Sequence, residues 1–227
     1  MIPSPQVKTY AQDGHVIIAV DDGKVNAITP SLAKELNSAL DNLPDDLSVL
    51  IIKGNERAFC VGFDLAIIQG SDDKTRSLLI SDAWRFWLRL YNFPRPVIAA
   101  VTGHALGFGA YLTLAFDKVI AAEGEYGMGF TEVGLGIALD QPPFLTPILQ
   151  RIPPQYQQSV ILHSEIYRPD AAIKAGLCHE VVPAESLLAK CHEAASKLGR
   201  LPNPAYAQTK KVLHAECAKG IEQALMI

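Results

Sequence analysis

The chain has 227 residues, 49% of them hydrophobic, and a formal net charge of −4 at pH 7. That is enough apolar material for one large packed domain or two small ones, and the slightly acidic balance supplies no overall positive field, which argues against a dedicated nucleic-acid binder. No window reaches the roughly eighteen uninterrupted apolar residues of a membrane span, and Met1-Ile2-Pro3-Ser4-Pro5 leads into polar residues instead of a signal-peptide core, so a cytoplasmic protein is expected.

Residues 7–10 and 15–20 are strand-like runs joined across Asp13-Gly14, a hairpin-turn pairing. Thr29 offers an N-cap ahead of Pro30, and Leu32, Leu36, Leu40 and Leu43 make an apolar stripe at helical spacing, predicting a helix that stops near Pro44. Val49-Leu50-Ile51-Ile52-Lys53 reads as a buried strand halted by Gly54-Asn55. Residues 73–92 carry Leu78, Leu79, Trp84, Trp87, Leu88 and Tyr91 at helical intervals, and Pro94-Arg95-Pro96 stops that helix. Val97-Ile98-Ala99-Ala100-Val101 and Lys118-Val119-Ile120-Ala121-Ala122 are two further buried strands with a short helix between them. Strand, turn and helix therefore recur, which predicts an α/β architecture with largely parallel pairing and ligands at strand ends where helices begin. Beyond Asp140 the chain turns mostly helical, with helices expected at 155–163, 170–175 and 184–198 and a last one after Pro202-Asn203-Pro204 that passes Lys210 and Lys211.

Two glycine-bearing turns carry the chemistry, Ala58-Phe59-Cys60-Val61-Gly62-Phe63-Asp64-Leu65 and His104-Ala105-Leu106-Gly107-Phe108-Gly109-Ala110-Tyr111. Each follows a strand-like run and opens a helix-like one. The first N–H groups of a helix lack intrahelical acceptors and sit at the positive end of the peptide dipoles, so two such starts facing each other can grip one negative oxygen and stabilise an enolate.

The signatures G-x-S-x-G, H-E-x-x-H, Walker A and a complete G-x-G-x-x-G after a strand are all missing. Cys60, Cys178, Cys191 and Cys217 show no metal or disulfide spacing, so reduced thiols and no metal are expected. One acidic segment remains, Gly129 through Asp140, in which Glu132 and Asp140 are the only carboxylates among small and apolar residues. A desolvated carboxylate rises in pKa and becomes a better proton carrier near neutral pH. From spacing alone, Glu132 capping a turn or pairing with a surface lysine is an equal alternative.

Glu56 through Leu65, Pro96 through Gly109 and Phe130 through Gly136, in this order and spacing, resemble the enoyl-CoA hydratase/isomerase (crotonase) superfamily. Asn26-Ala27-Ile28 and Ala171 through Pro183 look like the same family's flanking motifs, so the resemblance covers nearly the whole chain. It implies a β-β-α superhelical core, here residues 1–183, with a helical C-terminal region over 184–227, assembled as a homotrimer or hexamer and binding an acyl-coenzyme A thioester with no cofactor beyond the coenzyme A of the substrate. Carried over by position, the oxyanion hole is formed by the backbone N–H groups of Phe63 and Phe108, and one such donor is worth on the order of 3 kcal/mol of barrier stabilisation. Phe108 replaces a common glycine, which keeps the N–H but adds a ring.

Glu132 falls at the family's catalytic glutamate. The second glutamate of hydratases is replaced by Tyr111, a poor proton carrier at neutral pH with its usual pKa of about 10. Hydration needs one group to activate water and support for protonating carbon, whereas moving a double bond needs a single base, so isomerisation is favoured over hydration. Asp140, eight positions after Glu132, resembles the second carboxylate of dienoyl-CoA isomerases and the acting aspartate of ring-opening isomerases and aryl-CoA dehalogenases; its structural alternative is to N-cap the helix containing Gln141-Pro142-Pro143. Lys24, Val25 and Ala27 match a segment that contacts adenine and pantetheine. Phe59, Gly62, Asp64, Leu65 and Gly107 match positions around the thioester end, and Ala66 stands where relatives place a phosphate-contacting lysine. The chain ends at Ile227, before the last helices that in relatives close the acyl pocket, which predicts a truncated chain or a more open pocket. Hydration with a water held by Tyr111 or Asp140, and an idle homologue that only binds acyl-CoA, are the alternatives.

Overall fold

The computed structural model describes residues 6–12 and 14–226; Asp13 of the expected hairpin turn and the first five residues lie outside the described residues. β1 (Val7–Gln12) and β2 (His15–Val20) pair antiparallel, Val7 opposite Val20 and Gln12 opposite His15. α1 (Pro30–Asp41) starts where the cap predicted it, with the Thr29 hydroxyl accepting from the Leu32 N–H at 3.2 Å, and its Leu32, Leu36 and Leu40 stripe is buried.

The chain then repeats one unit three times. β3 (Leu50–Lys53), β4 (Ala58–Cys60), α2 (Leu65–Gly70) and α3 (Asp73–Tyr91) form the first. β5 (Val97–Val101), β6 (His104–Leu106) and α4 (Phe108–Leu114) form the second. β7 (Lys118–Ala122), β8 (Met128–Gly129), a 3₁₀ turn at Val133–Leu135 and α5 (Pro142–Arg151) form the third. In each unit the first strand joins a large sheet and the second a small one. With β9 (Glu180–Val182), the large sheet has the order β1-β2-β3-β5-β7-β9, parallel beyond the first hairpin, and the small sheet is β4-β6-β8, also parallel.

The apolar runs of β3, β5 and β7 are continuous because both faces of the large sheet are covered. Leu50, Ile52, Val97, Ala99 and Val119 face the main core with α1 and α3, while Ile51, Ile98, Ala100 and Ile120 face Leu187, Cys191 and Ala195 of α8 (Leu187–Leu198). The four short strands β4, β6, β8 and β9 were not legible as strands, since two or three residues carry no alternation and are extended only by their neighbours in the sheet. α6 (Pro154–Ile161) and α7 (Pro169–Lys174) follow the proline punctuation. α9 (Asn203–Leu225) begins before Pro204, not after it, because proline in the first helical turn gives up an N–H that has no acceptor there anyway. α9 packs against α3 and α5. The four cysteines are free and buried, and no described helix is long and apolar enough to cross a membrane.

Candidate active site

The registers of the small sheet, Cys60 beside Ala105 and Leu106 beside Gly129, bring the ends of β4, β6 and β8 together, and the turns that follow meet at one place. Two glycines allow the approach. Gly62 (φ +89°) and Gly107 (φ +54°) hold backbone conformations that side chains disfavour. A Cβ on Gly62 would stand 3.1 Å from both the Leu106 carbonyl oxygen and the Phe108 nitrogen; one on Gly107 would stand 3.0 Å from the Thr131 Oγ1 and 3.5 Å from the Glu132 Oε1.

Phe63 is bracketed by Ile28: the Ile28 N–H donates to the Gly62 carbonyl at 2.8 Å and the Asp64 N–H donates to the Ile28 carbonyl at 3.1 Å. In such a parallel bridge the intervening residue's own N–H faces away, and the Phe63 N–H donates to no described protein group. Phe108 is the first residue of α4, behind Gly107, whose carbonyl already accepts from Ala110 and Tyr111; the Phe108 N–H also donates to no described group. The two phenyl rings pack with centroids 4.9 Å apart, so the ring of Phe108 is accommodated by Phe63. Asn26 (φ +53°) anchors the bracketing segment, its buried amide donating to the carbonyls of Val20 (3.1 Å), Ala58 (2.9 Å) and Phe59 (3.3 Å).

Glu132 is delivered by the third turn. The Gly107 N–H donates to the Gly129 carbonyl at 2.9 Å, and the Leu135 and Ile137 N–H groups close onto the Glu132 carbonyl at 3.0 and 2.8 Å. Its side chain makes neither a cap hydrogen bond nor an ion pair, so both structural alternatives fail, and Oε2 is buried with no partner. Burial pushes this carboxyl above the ordinary carboxylate range, opposed by the backbone N–H groups of Glu132 and Thr131. Tyr111 is 2% exposed, its hydroxyl also lacks a partner, and burial together with the Glu132 charge drives its phenol far above the usual value. Asp140 is exposed, and the N-cap of α5 is Gln141, so the capping alternative for Asp140 is overturned.

These residues border a cavity of about 440 Å³. Of the positions singled out in the sequence, Gly62, Phe63, Leu65, Gly107, Phe108, Tyr111, Glu132 and Asp140 line it. Phe59 does not: it is buried against Phe116 in the core beneath the turn. The Asp64 carboxylate accepts from the Ile67 N–H at 3.2 Å and caps α2. Lys24 and Val25 are exposed and Ala27 half-buried on the loop that Asn26 anchors, outside the cavity wall. Trp84 is the hub of the aromatic wall, in edge or tilted contact with Phe108, Tyr111 and Phe144, whereas Trp87 lies behind it and donates to the Tyr111 carbonyl at 2.7 Å. Arg76 and Ile80 of α3, together with Ala224 and Leu225 of α9, complete the wall and were missed. Arg76, Ile80 and Trp84 sit at four-residue intervals, a helical stripe readable in the sequence. The C-terminal end of α9 thus covers the cavity of its own chain.

The sequence profile of the family described as enoyl-CoA hydratase/isomerase matches residues 11–227. A probable enoyl-CoA hydratase of Rhodobacter capsulatus is 31% identical over 223 residues, 97% of this chain and 86% of the relative. The apo structure of an Mtb enoyl-CoA isomerase is 30% identical, with a TM-score of 0.91 over 98% of this chain and 97% of that one. A probable enoyl-CoA hydratase from Mycobacterium tuberculosis H37Rv superimposes with a TM-score of 0.92 at 30% identity, covering 97% of this chain and 93% of that one. With a profile match over residues 11–227, relatives of this identity, and two glycine turns and a half-buried glutamate converging at the ends of its small sheet, the chain belongs to the enoyl-CoA hydratase/isomerase (crotonase) family.

Proposed function

We propose that the cavity moves a double bond along an acyl-CoA thioester, with Glu132 as the single proton carrier. Its carboxylate takes a proton from the α-carbon of a 3-enoyl thioester, the electron pair moves onto the thioester oxygen, and the N–H groups of Phe63 and Phe108 stabilise the resulting enolate. The same carboxyl then returns the proton to the γ-carbon as the enolate collapses to the 2-enoyl product. A carboxyl whose pKa is raised by burial suits both halves, since its acid form is populated closer to neutral pH. The carrying observation is Glu132, which lines the cavity with its Oε2 buried and unpartnered and with no second buried carboxylate among the described lining residues. The reaction asks for no cofactor beyond the coenzyme A of its substrate, and a homotrimer is the assembly we propose by family resemblance.

Hydration is the second reading. Tyr111 and Glu132 line the same cavity, each with a buried oxygen that lacks a partner and that a water between them would satisfy, and the Rhodobacter relative bears the hydratase name. Purified protein is offered 3-hexenoyl-CoA and crotonyl-CoA in parallel. Gain of conjugated-thioester absorbance with the first and none lost with the second supports isomerisation; the reverse result supports hydration. Glu132→Gln retaining parental rates on both would defeat both readings.

A further inference from the structure

The acyl cavity is apolar along α2, α3, α5 and α9, yet one cation stands in its wall. Arg76 is the only lysine or arginine among the described lining residues, at the start of the Arg76, Ile80, Trp84 stripe of α3. Its guanidinium is held at the end of α2, donating from Nη1 to the carbonyls of Ile68 (3.5 Å) and Ser71 (3.4 Å) and from Nη2 to the Asp73 carboxylate. Asp73 is 93% exposed, so this ion pair is solvated and contributes little, and a guanidinium carries five N–H donors, more than these contacts use. Eight residues of helix separate Arg76 from Trp84, whose ring meets Phe108; at 1.5 Å per residue their Cα atoms stand about 12 Å apart along α3, a span on the scale of a medium-chain acyl group. The intervening wall is Ile68, Ile80, Phe144 and Leu225, which suits methylenes.

We propose that Arg76 selects acyl chains that end in a carboxylate: the thioester lies against the Phe63 and Phe108 amides, the methylenes cross the apolar wall, and the terminal carboxylate accepts from the guanidinium. A planar fork of donors matches a carboxylate, and the charge-assisted bonds are the strong kind. The inference rests on the cavity being an acyl-thioester site, and it deepens that reading by naming the substrate class, a medium-chain dicarboxylic monothioester. The other source of a negative group is the coenzyme A phosphates, so the test separates the two.

Calorimetry measures the binding of adipoyl-CoA against hexanoyl-CoA, suberoyl-CoA against octanoyl-CoA, and free coenzyme A, to the parent, R76Q and R76K. These saturated thioesters cannot be isomerised or hydrated, so binding is read without turnover. The expected result is at least a tenfold preference for the carboxylate-ended member of one pair in the parent, a ratio near one in R76Q, and an intermediate ratio in R76K, which keeps the charge and loses the fork. Equal binding of the paired ligands by the parent overturns the inference whether or not the variants fold. A preference retained in R76Q overturns it as well. If R76Q weakens both members of each pair and free coenzyme A alike, the cation serves the phosphates and the inference falls. Failure of every acyl-CoA to bind removes the acyl-thioester reading itself, and this one with it.

Discussion

Asp117 accepts hydrogen bonds from the Val97 N–H and the Lys210 ammonium, both at 2.7 Å, whereas the Glu132 Oε2 is buried without a partner beside a Tyr111 hydroxyl that also lacks one. The first carboxylate ties β5 to α9 through a lysine that is 5% exposed. Near it, the Arg151 guanidinium donates to the carbonyls of Thr113 (3.4 Å), in the last turn of α4, and Phe116 (3.4 and 3.5 Å), just after it. Asp117 and Arg151 also border a cavity, so it is pairing that separates the two regions: the polar atoms of the Asp117 cluster are satisfied, while the Glu132 Oε2 and the Tyr111 hydroxyl are left unpaired, at a cost to stability that points to function.

The largest test of this contrast is Glu132→Gln, which should lower turnover about 10³-fold, ~4 kcal/mol of barrier, as measured on the thioester that the parent converts. Lys210→Met should do the opposite kind of damage, costing about 2 kcal/mol in urea denaturation because it leaves the half-buried Asp117 without its cation; an unchanged midpoint would mean that the ion pair is not structural. Gly107→Ala falls between the two regions, and backbone strain should cost about 2 kcal/mol. Because its Cβ would press on Thr131 and Glu132, turnover should fall along with the melting temperature.

A smaller effect gives the sign of the Glu132 cost. Its folded pKa lies above its unfolded one, so between the two values the native state binds more protons and stability declines as pH rises through that window, then stays level. Glu132→Gln removes this loss and should stabilise the protein by about 1 kcal/mol at pH 8, roughly 2–4 °C for a chain of this size, with less gain at pH 4.5. A calorimetric gain equal at both pH values would contradict the burial argument. Asp140→Asn should be mildest: the residue is exposed, so stability stays within about 0.5 kcal/mol, and 3-enoyl turnover should change little if one base suffices. A drop comparable to that of Glu132→Gln would call for a two-carboxylate relay.

Much of this was legible in the residues. Thr29-Pro30, the apolar runs at 50–53, 97–101 and 118–122, and the proline stops declared α1, β3, β5, β7 and the helical last third, because caps, breakers and uninterrupted apolar runs are local signals. The two glycine turns and Glu132 were legible as motifs. Arg76 was legible only as a member of a four-residue stripe with Ile80 and Trp84, Ala224 and Leu225 were not legible at all, since nothing local tells a helix residue which wall it will face, and Phe59 was placed near the thioester although the fold keeps it in the core.

The sequence by itself determined where chains of like character begin and stop, and which backbone positions tolerate only glycine, since propensity, capping and steric freedom act within a few residues. Only the tertiary structure decided that Ile28 turns the Phe63 N–H outward, that β4, β6 and β8 exist at all, that the Glu132 Oε2 is buried while Asp140 stays exposed, and that the end of α9 covers the cavity. Those outcomes depend on pairings between residues tens to hundreds of positions apart, whose energies no local stretch contains.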